Sequence, residues 1–241
     1  MSILLTPMIN NLKANILNGY DPDAKLAIAA INKEIEYLEE QTCVMRRYAD
    51  FAKLAGETYT IPVHMATWLD LAVEHDAYEY PPDTTRFKLQ YVNVREYNDR
   101  TWLVATDGYR LHAYAVDLPV GVYLMIDNKL RQVDSVFPDW TTVTPNAKSA
   151  QVGEYVIHAD GNAAWNIDGN VLTKYDPKRI YKLNENYRLC ESYFKDALSL
   201  GGEPKFALAE LTEKHPHPYQ RIMMITWPDA FTVIMPMTPE R

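Results

Sequence analysis

Apolar residues recur every three or four positions in the first quarter of the chain. Ile28, Ile31, Ile35, Leu38, Thr42, Met45, Ala49 and Ala52 lie between a helix-starting Asp21-Pro22 and a helix-stopping Gly56, which predicts one long amphipathic helix or two with a break. The pattern weakens to Thr and Ala after Leu38, favouring a helix packed on the body of the protein over a coiled-coil arm. Its charged residues, among them Lys33, Glu34, Glu36, Arg46 and Arg47, form a solvated face.

From Thr58 the period changes from helical to alternating. "TYTIP" reads as a strand and "VHMATWLDLAVEHDAYE" as a short helix with Met65, Leu69, Ala72 and Val73 on one side. "PPD" breaks the chain, and "RFKLQYVNVREYN" alternates like a strand. In "TWLVATDGYRLHAY", Asp107-Gly108 sits between two runs of strand composition and predicts a β-hairpin with a tight, positive-φ turn.

A similar order returns near the end. "RIYKLN" reads as a strand, "YRLCESYFKDALSL" as a helix stopped by Gly201-Gly202, "PKFALAELTE" as a strand, and "QRIMMITWP" and "AFTVIMPM" as two more joined by a turn. The stretch between the two units is turn-rich and strand-like. The expected class is α+β: two strand-helix-strand-strand-strand units (57–117 and 179–241) with a β-rich middle segment (118–178) and an N-terminal helical extension (1–56).

Composition narrows the setting. The 241 residues are 47% hydrophobic, enough to bury a substantial core, and the opening twenty residues hold neither a secretory h-region nor a membrane-length apolar run. The reading is a cytoplasmic protein with no membrane partner. Two cysteines, Cys43 and Cys190, argue for reduced thiols and against a disulfide framework. A net charge of −8 makes the surface as a whole a poor ligand for phosphate backbones.

Enzyme signatures are missing. The chain holds no His-Glu-x-x-His, Gly-x-Ser-x-Gly, Walker-type loop or Cys-x-x-Cys. His215 and His217 in "EKHPHPY" fit a rigid loop better than a metal site, and Asp160 and Asp168 precede glycines as turn residues do. No catalytic residue, metal or cofactor is assigned.

Three segments carry a resemblance to one family. "LVATDGYRLHAY", "VDSVFPDWTTVTP" and the terminal "AFTVIMPM" resemble, in the same order, the Ala-Thr-Asp-Gly-x-Arg-Leu, Phe-Pro-Asp-Tyr-x-x-Val-x-Pro and Val-Met-Pro-Met segments of bacterial DNA polymerase III β sliding clamps. The resemblance spans roughly Thr58 to Met237 and implies a DNA-clamp-like fold. It further implies a hydrophobic groove for short linear motifs of a DNA polymerase or other replication proteins. The residues it nominates are Thr106, Gly108, Tyr109, Arg110 and Leu111, then Pro138 and Val143, then Val233, Ile234, Met235, Pro236 and Met237. Tyr109 stands where histidine is common in the family and Trp140 where tyrosine is common.

The chemistry of these residues suits such a groove. Leu111, Val143, Met235 and Met237 offer adaptable apolar walls, Gly108 allows close main-chain approach, and Arg110 is able to meet a carboxylate or carbonyl. The resemblance also implies a homo-oligomer and non-specific, topological contact with DNA, for which Arg188 and Lys195 are the cations on the second helix. The first helix offers Asp70, Glu74 and Asp76 instead. Two functions follow: a compact processivity clamp of a bacteriophage or mobile element, or a clamp-fold adaptor or decoy that binds replication partners without encircling DNA.

Overall fold

The structure, a computed structural model, describes residues 32–33, 42–144, 151–157, 163–167, 170–176, 180–184, 187–209 and 222–237. Two compact units divide the chain at Ala49/Asp50. In the first, residues 32–33 and 42–49 are helical. The second opens with helical residues 50–53, and Gly56, at φ +105°, turns the chain away from helix.

Among the described residues the second unit holds fourteen strands. These are β1 (Thr58–Thr60), β2 (Val92–Tyr97), β3 (Arg100–Thr106), β4 (Arg110–Ala115), β5 (Gly121–Ile126), β6 (Lys129–Val133) and β7 (Gln151–Ile157). The rest are β8 (Ala163–Ile167), β9 (Asn170–Asp176), β10 (Ile180–Asn184), β11 (Tyr187–Cys190), β12 (Lys205–Leu208), β13 (Met223–Thr226) and β14 (Ala230–Ile234). After residues 50–53, its α-helices among the described residues are α1 (Val63–Asp70), the single turn α2 (Thr85–Lys88) and α3 (Glu191–Leu198). All strands join one sheet in the order β1-β6-β5-β2-β3-β4-β14-β13-β12-β7-β8-β9-β10-β11, every pairing antiparallel. The expected α+β class, a large antiparallel sheet with few helices, is what the chain adopts.

Connectivity repeats across the sheet centre. In each half the strand before the helix lies at an outer edge (β1, β11), and the strand that ends the half lies at the middle (β4, β14). The turn-rich segment after residue 118 is shared between the halves. Hairpin β5–β6 extends the first half beyond β2, whereas β7 to β9 extend the second beyond β12.

Several elements differ from those read in the sequence, beginning with α1, which ends at Asp70 although the expected helix ran to residue 79. Residues 85–88 are helical because Thr84 caps them, its hydroxyl accepting from the Phe87 amide at 3.3 Å, so β2 starts only at Val92. Residues 187–190 are extended, paired with β10, and α3 begins at Glu191. The tight two-residue turn is also elsewhere. Asn98 and Asp99, both at positive φ, close β2 onto β3, while Thr106 pairs with Leu111 across a longer loop of which Gly108 is the positive-φ residue.

The two sheet faces bury different cores. On one, Met65, Trp68 and Leu69 of α1 pack with Leu103, Ala105 and Met125, and Phe194 and Ala197 of α3 pack with Phe206, Ile225 and Ile234. On the other, Trp102, Val104, Leu111, Phe231 and Val233 are covered by Phe137 and Trp140. Trp68 joins the helices, its indole donating to the Ala197 carbonyl at 3.0 Å, and its ring stacks on His112 of β4 at 4.2 Å. His112 Nδ1 donates to the Trp68 carbonyl at 2.7 Å, satisfying an acceptor of the last helical turn. Its Nε2, also buried, has no hydrogen-bond partner among the described residues. Among the described residues no helix is long and apolar enough to cross a membrane, and neither Cys43 nor Cys190 is in a disulfide.

Burial pushes the His112 imidazole from 6.5 down to about 3, against the raising effect of the Trp68 carbonyl and with help from Arg110. The unfolded chain therefore binds a proton that the folded chain refuses. Stability from this group is complete above its unfolded value and falls as pH drops toward 3, by roughly 2–3 kcal/mol near pH 4.5. His112→Phe keeps the stack but does not titrate. Urea melts at neutral pH and near pH 4.5 should show a smaller acid-induced loss in the variant than in the parent, and equal losses would count against this origin.

Candidate functional site

The β3–β4 loop satisfies its own backbone. Asp107 Oδ1 accepts from the amides of Tyr109 (2.8 Å) and Arg110 (2.9 Å), and Thr106 Oγ1 accepts from Gly108 N (3.0 Å) and donates to Arg110 O (2.6 Å). Gly108, at φ +88°, completes the turn. The loop meets the C-terminal strand because β4 pairs with β14 from Arg110↔Ile234 to Tyr114↔Ala230, and the Met235 amide then donates to the Tyr109 carbonyl at 2.9 Å. Residues 134–144 fold over the same strands. Trp140 anchors them, its indole donating to Asn93 Oδ1 at 3.0 Å, in a 3-10 turn that Asp139 caps through the Thr141 amide.

Between these segments lies a groove of about 190 Å³ lined by Thr85, Leu89, Thr106, Gly108, Tyr109, Arg110, Leu111, Pro138, Asp139, Trp140, Val143, Val233 and Met235. Leu111 and Val233 form a buried floor, and Tyr109, Val143 and Met235 stand exposed at the rim. Nine of the twelve residues nominated from the sequence line it. Ile234 does not, because strand alternation turns it to the opposite face, where it is fully buried among the α3 contacts. Pro236 and Met237 follow the end of β14 and do not line the groove either.

Four lining residues were not nominated. Asp139 and Trp140 lie inside the segment "FPDW" that supplied Pro138, so neighbourhood alone pointed to them. Thr85 and Leu89 went unseen because their stretch reads as a strand, whereas the α2 turn brings them to the wall. Arg86 ties that turn to the loop. Its guanidinium donates to Glu74 (2.5 Å), to the Asp107 carbonyl (3.1 Å) and to the Tyr109 hydroxyl (2.9 Å).

Arg110 is already engaged. Its Nε donates to Asp107 Oδ2 at 3.0 Å and its Nη1 to Asp196 of α3, and its guanidinium lies 4.6 Å from the centre of the Tyr193 ring. Asp139 accepts from Arg95 at 2.7 Å, and its carboxyl is held below the ordinary value by the Thr141 hydroxyl first and by the Thr141 amide and Arg95 as well.

The two cations nominated for DNA have different standing. Lys195 is mostly exposed but ion-paired with Glu191 at 2.7 Å. Arg188 lies in β11 opposite Lys182, and its side chain is outside the described residues, as are Asp160, Asp168, His215 and His217. Among the described residues, no group of three or more His, Cys, Asp or Glu is arranged to hold a metal.

No protein-family model matches this chain, and no curated protein matches it. Similar solved structures are DNA polymerase III β sliding clamps. The β subunit from Thermotoga maritima is 12% identical at a TM-score of 0.43, covering 77% of this chain and 66% of the other. For Borrelia burgdorferi, solved with a natural product, the values are 13%, 0.40, 77% and 65%. The Bacillus subtilis sliding clamp gives 15%, 0.42, 76% and 65%. This chain thus spans slightly less than two thirds of the length of those clamps.

The groove loop depends on a left-handed glycine. Gly108→Ala would place a Cβ 3.7 Å from Leu89 Cδ1, an ordinary contact, so its expected cost of about 1–2 kcal/mol is the backbone strain of positive φ alone. A urea midpoint indistinguishable from the parent would contradict that account of the turn.

Proposed function

We propose that this chain is a sliding-clamp-like replication factor that tethers a DNA polymerase or another replication protein by holding a short linear segment of it in the groove. One observation carries the reading: segments more than a hundred residues apart in sequence, around Thr106–Leu111 and Val233–Met235, converge with Pro138 and Val143 on one apolar groove. An extended peptide fits such a site, with apolar side chains against Leu111, Val233 and the adaptable thioether of Met235. Catalysis is not part of the proposal.

DNA contact, on this reading, is non-specific and topological in a closed homo-oligomer. Lys195 is the sole Lys or Arg of α1 and α3, and it is paired with Glu191. Electrostatic attraction to phosphates is accordingly weak and its salt slope shallow. A nicked circle loaded by an active loader should retain the protein at moderate salt while a linear duplex loses it from the ends. Equal behaviour on both would contradict clamp action.

The groove is tested directly by titration. A short peptide with a glutamine and a hydrophobic pair should bind saturably, in the micromolar range typical of small non-obligate interfaces. Met235→Glu should weaken it by more than about tenfold with the fold intact, since a charge against an apolar wall is costly unless paired. No saturable signal with the parent protein would remove the groove from the account.

A further inference from the structure

We infer that the groove selects peptides whose flanks are neutral or basic and rejects those with a carboxylate beside the apolar anchors; this rests on the groove being a peptide site. Among the described residues two charged side chains line it, Arg110 and Asp139. Arg110 is the cation that would receive an acidic peptide, yet it is only 12% exposed and held by two carboxylates of the protein itself, Asp107 and Asp196. Asp139 is 54% exposed and paired with Arg95. Among the described residues of this cluster two guanidinium groups face three carboxylates, an excess of one negative charge. The neighbouring Arg86, behind Tyr109, is likewise matched by Glu74.

The energetic consequence follows from the pairing. An incoming carboxylate reaches Arg110 only by displacing Asp107 or Asp196, trading one ion pair for another while exposing a protein carboxylate to repulsion. A lysine or arginine on the peptide flank meets Asp139 without displacing anything buried. The occupant is therefore an apolar segment in a neutral or basic context.

Three synthetic peptides sharing a glutamine and a hydrophobic pair, flanked by alanine, aspartate or lysine, test this by fluorescence anisotropy. The aspartate peptide should bind about fivefold more weakly than the alanine peptide at low salt and the lysine peptide at least as tightly, the differences narrowing near 0.3 M salt (roughly a 6 Å screening length). Asp196→Asn, which relaxes the hold on Arg110, should improve the aspartate peptide relative to the alanine peptide by about threefold. An aspartate peptide that binds the parent as well as or better than the alanine peptide, or a difference unmoved by salt, overturns the inference and leaves the groove reading standing. So does a folded Asp196→Asn protein with an unchanged ratio. If that variant does not fold, the salt series on the parent decides. Saturable binding by none of the three peptides overturns the groove reading and this inference together.

Discussion

The antiparallel pairing of β4 with β14 is the constraint on which the rest of the second unit depends. Five residue pairs, Arg110↔Ile234 through Tyr114↔Ala230, join halves of the sheet that are more than a hundred residues apart in sequence. The Thr232 hydroxyl adds a donor to the Leu111 carbonyl at 2.7 Å within the buried pair. Because register along a ladder is fixed in steps of two, this pairing decides which side chains of both strands meet on each face. It puts Leu111 beside Val233 on one face and leaves Ile234 among the α3 contacts on the other. A slip by one residue would exchange the groove floor for core.

Each face then has its own consolidation. On the helical face, Trp68 links α1 to α3 through the Ala197 carbonyl and to β4 through the His112 stack, so one indole ties together both helices and the central strand pair. On the opposite face the 134–144 segment is pinned by Trp140 and packs Phe137 and Trp140 against Trp102, Leu111, Phe231 and Val233. The charged groups around that strip are satisfied internally: Arg110 by Asp107 and Asp196, Arg86 by Glu74, Arg95 by Asp139. Such pairing fixes the walls of the groove in place.

Much of this was legible from residue patterns, and the exceptions have physical causes. Alternation and Asp-Gly placed the β3–β4 hairpin, yet the aspartate acts as a side-chain acceptor for two amides, and the tight positive-φ turn falls at Asn98-Asp99. Periodicity placed Met65, Leu69, Ala72 and Val73 in the core, where they are buried. It misread residues 85–88 because one Thr84 cap suffices to nucleate a single helical turn inside an alternating stretch. Within "AFTVIMPM", the family likeness nominated consecutive residues of a strand, which cannot all face one way; Val233 and Met235 line the groove and Ile234 points away. The ion pairs of Arg110 with Asp196 and of Arg86 with Glu74 join residues far apart in the chain, and no local pattern announces them.

On the proposed function, the strip between Leu111, Val143 and Met235 receives an apolar peptide. Methyl-labelled methionine distinguishes that strip from the core, since Met235 stands at its rim whereas Met125 is buried on the helical face. In an NMR titration with a peptide carrying a glutamine and a hydrophobic pair, the Met235 methyl resonance should shift saturably while that of Met125 stays in place. A Met235 resonance that does not move while the peptide binds elsewhere, or no saturable shift at any methionine, would contradict the account.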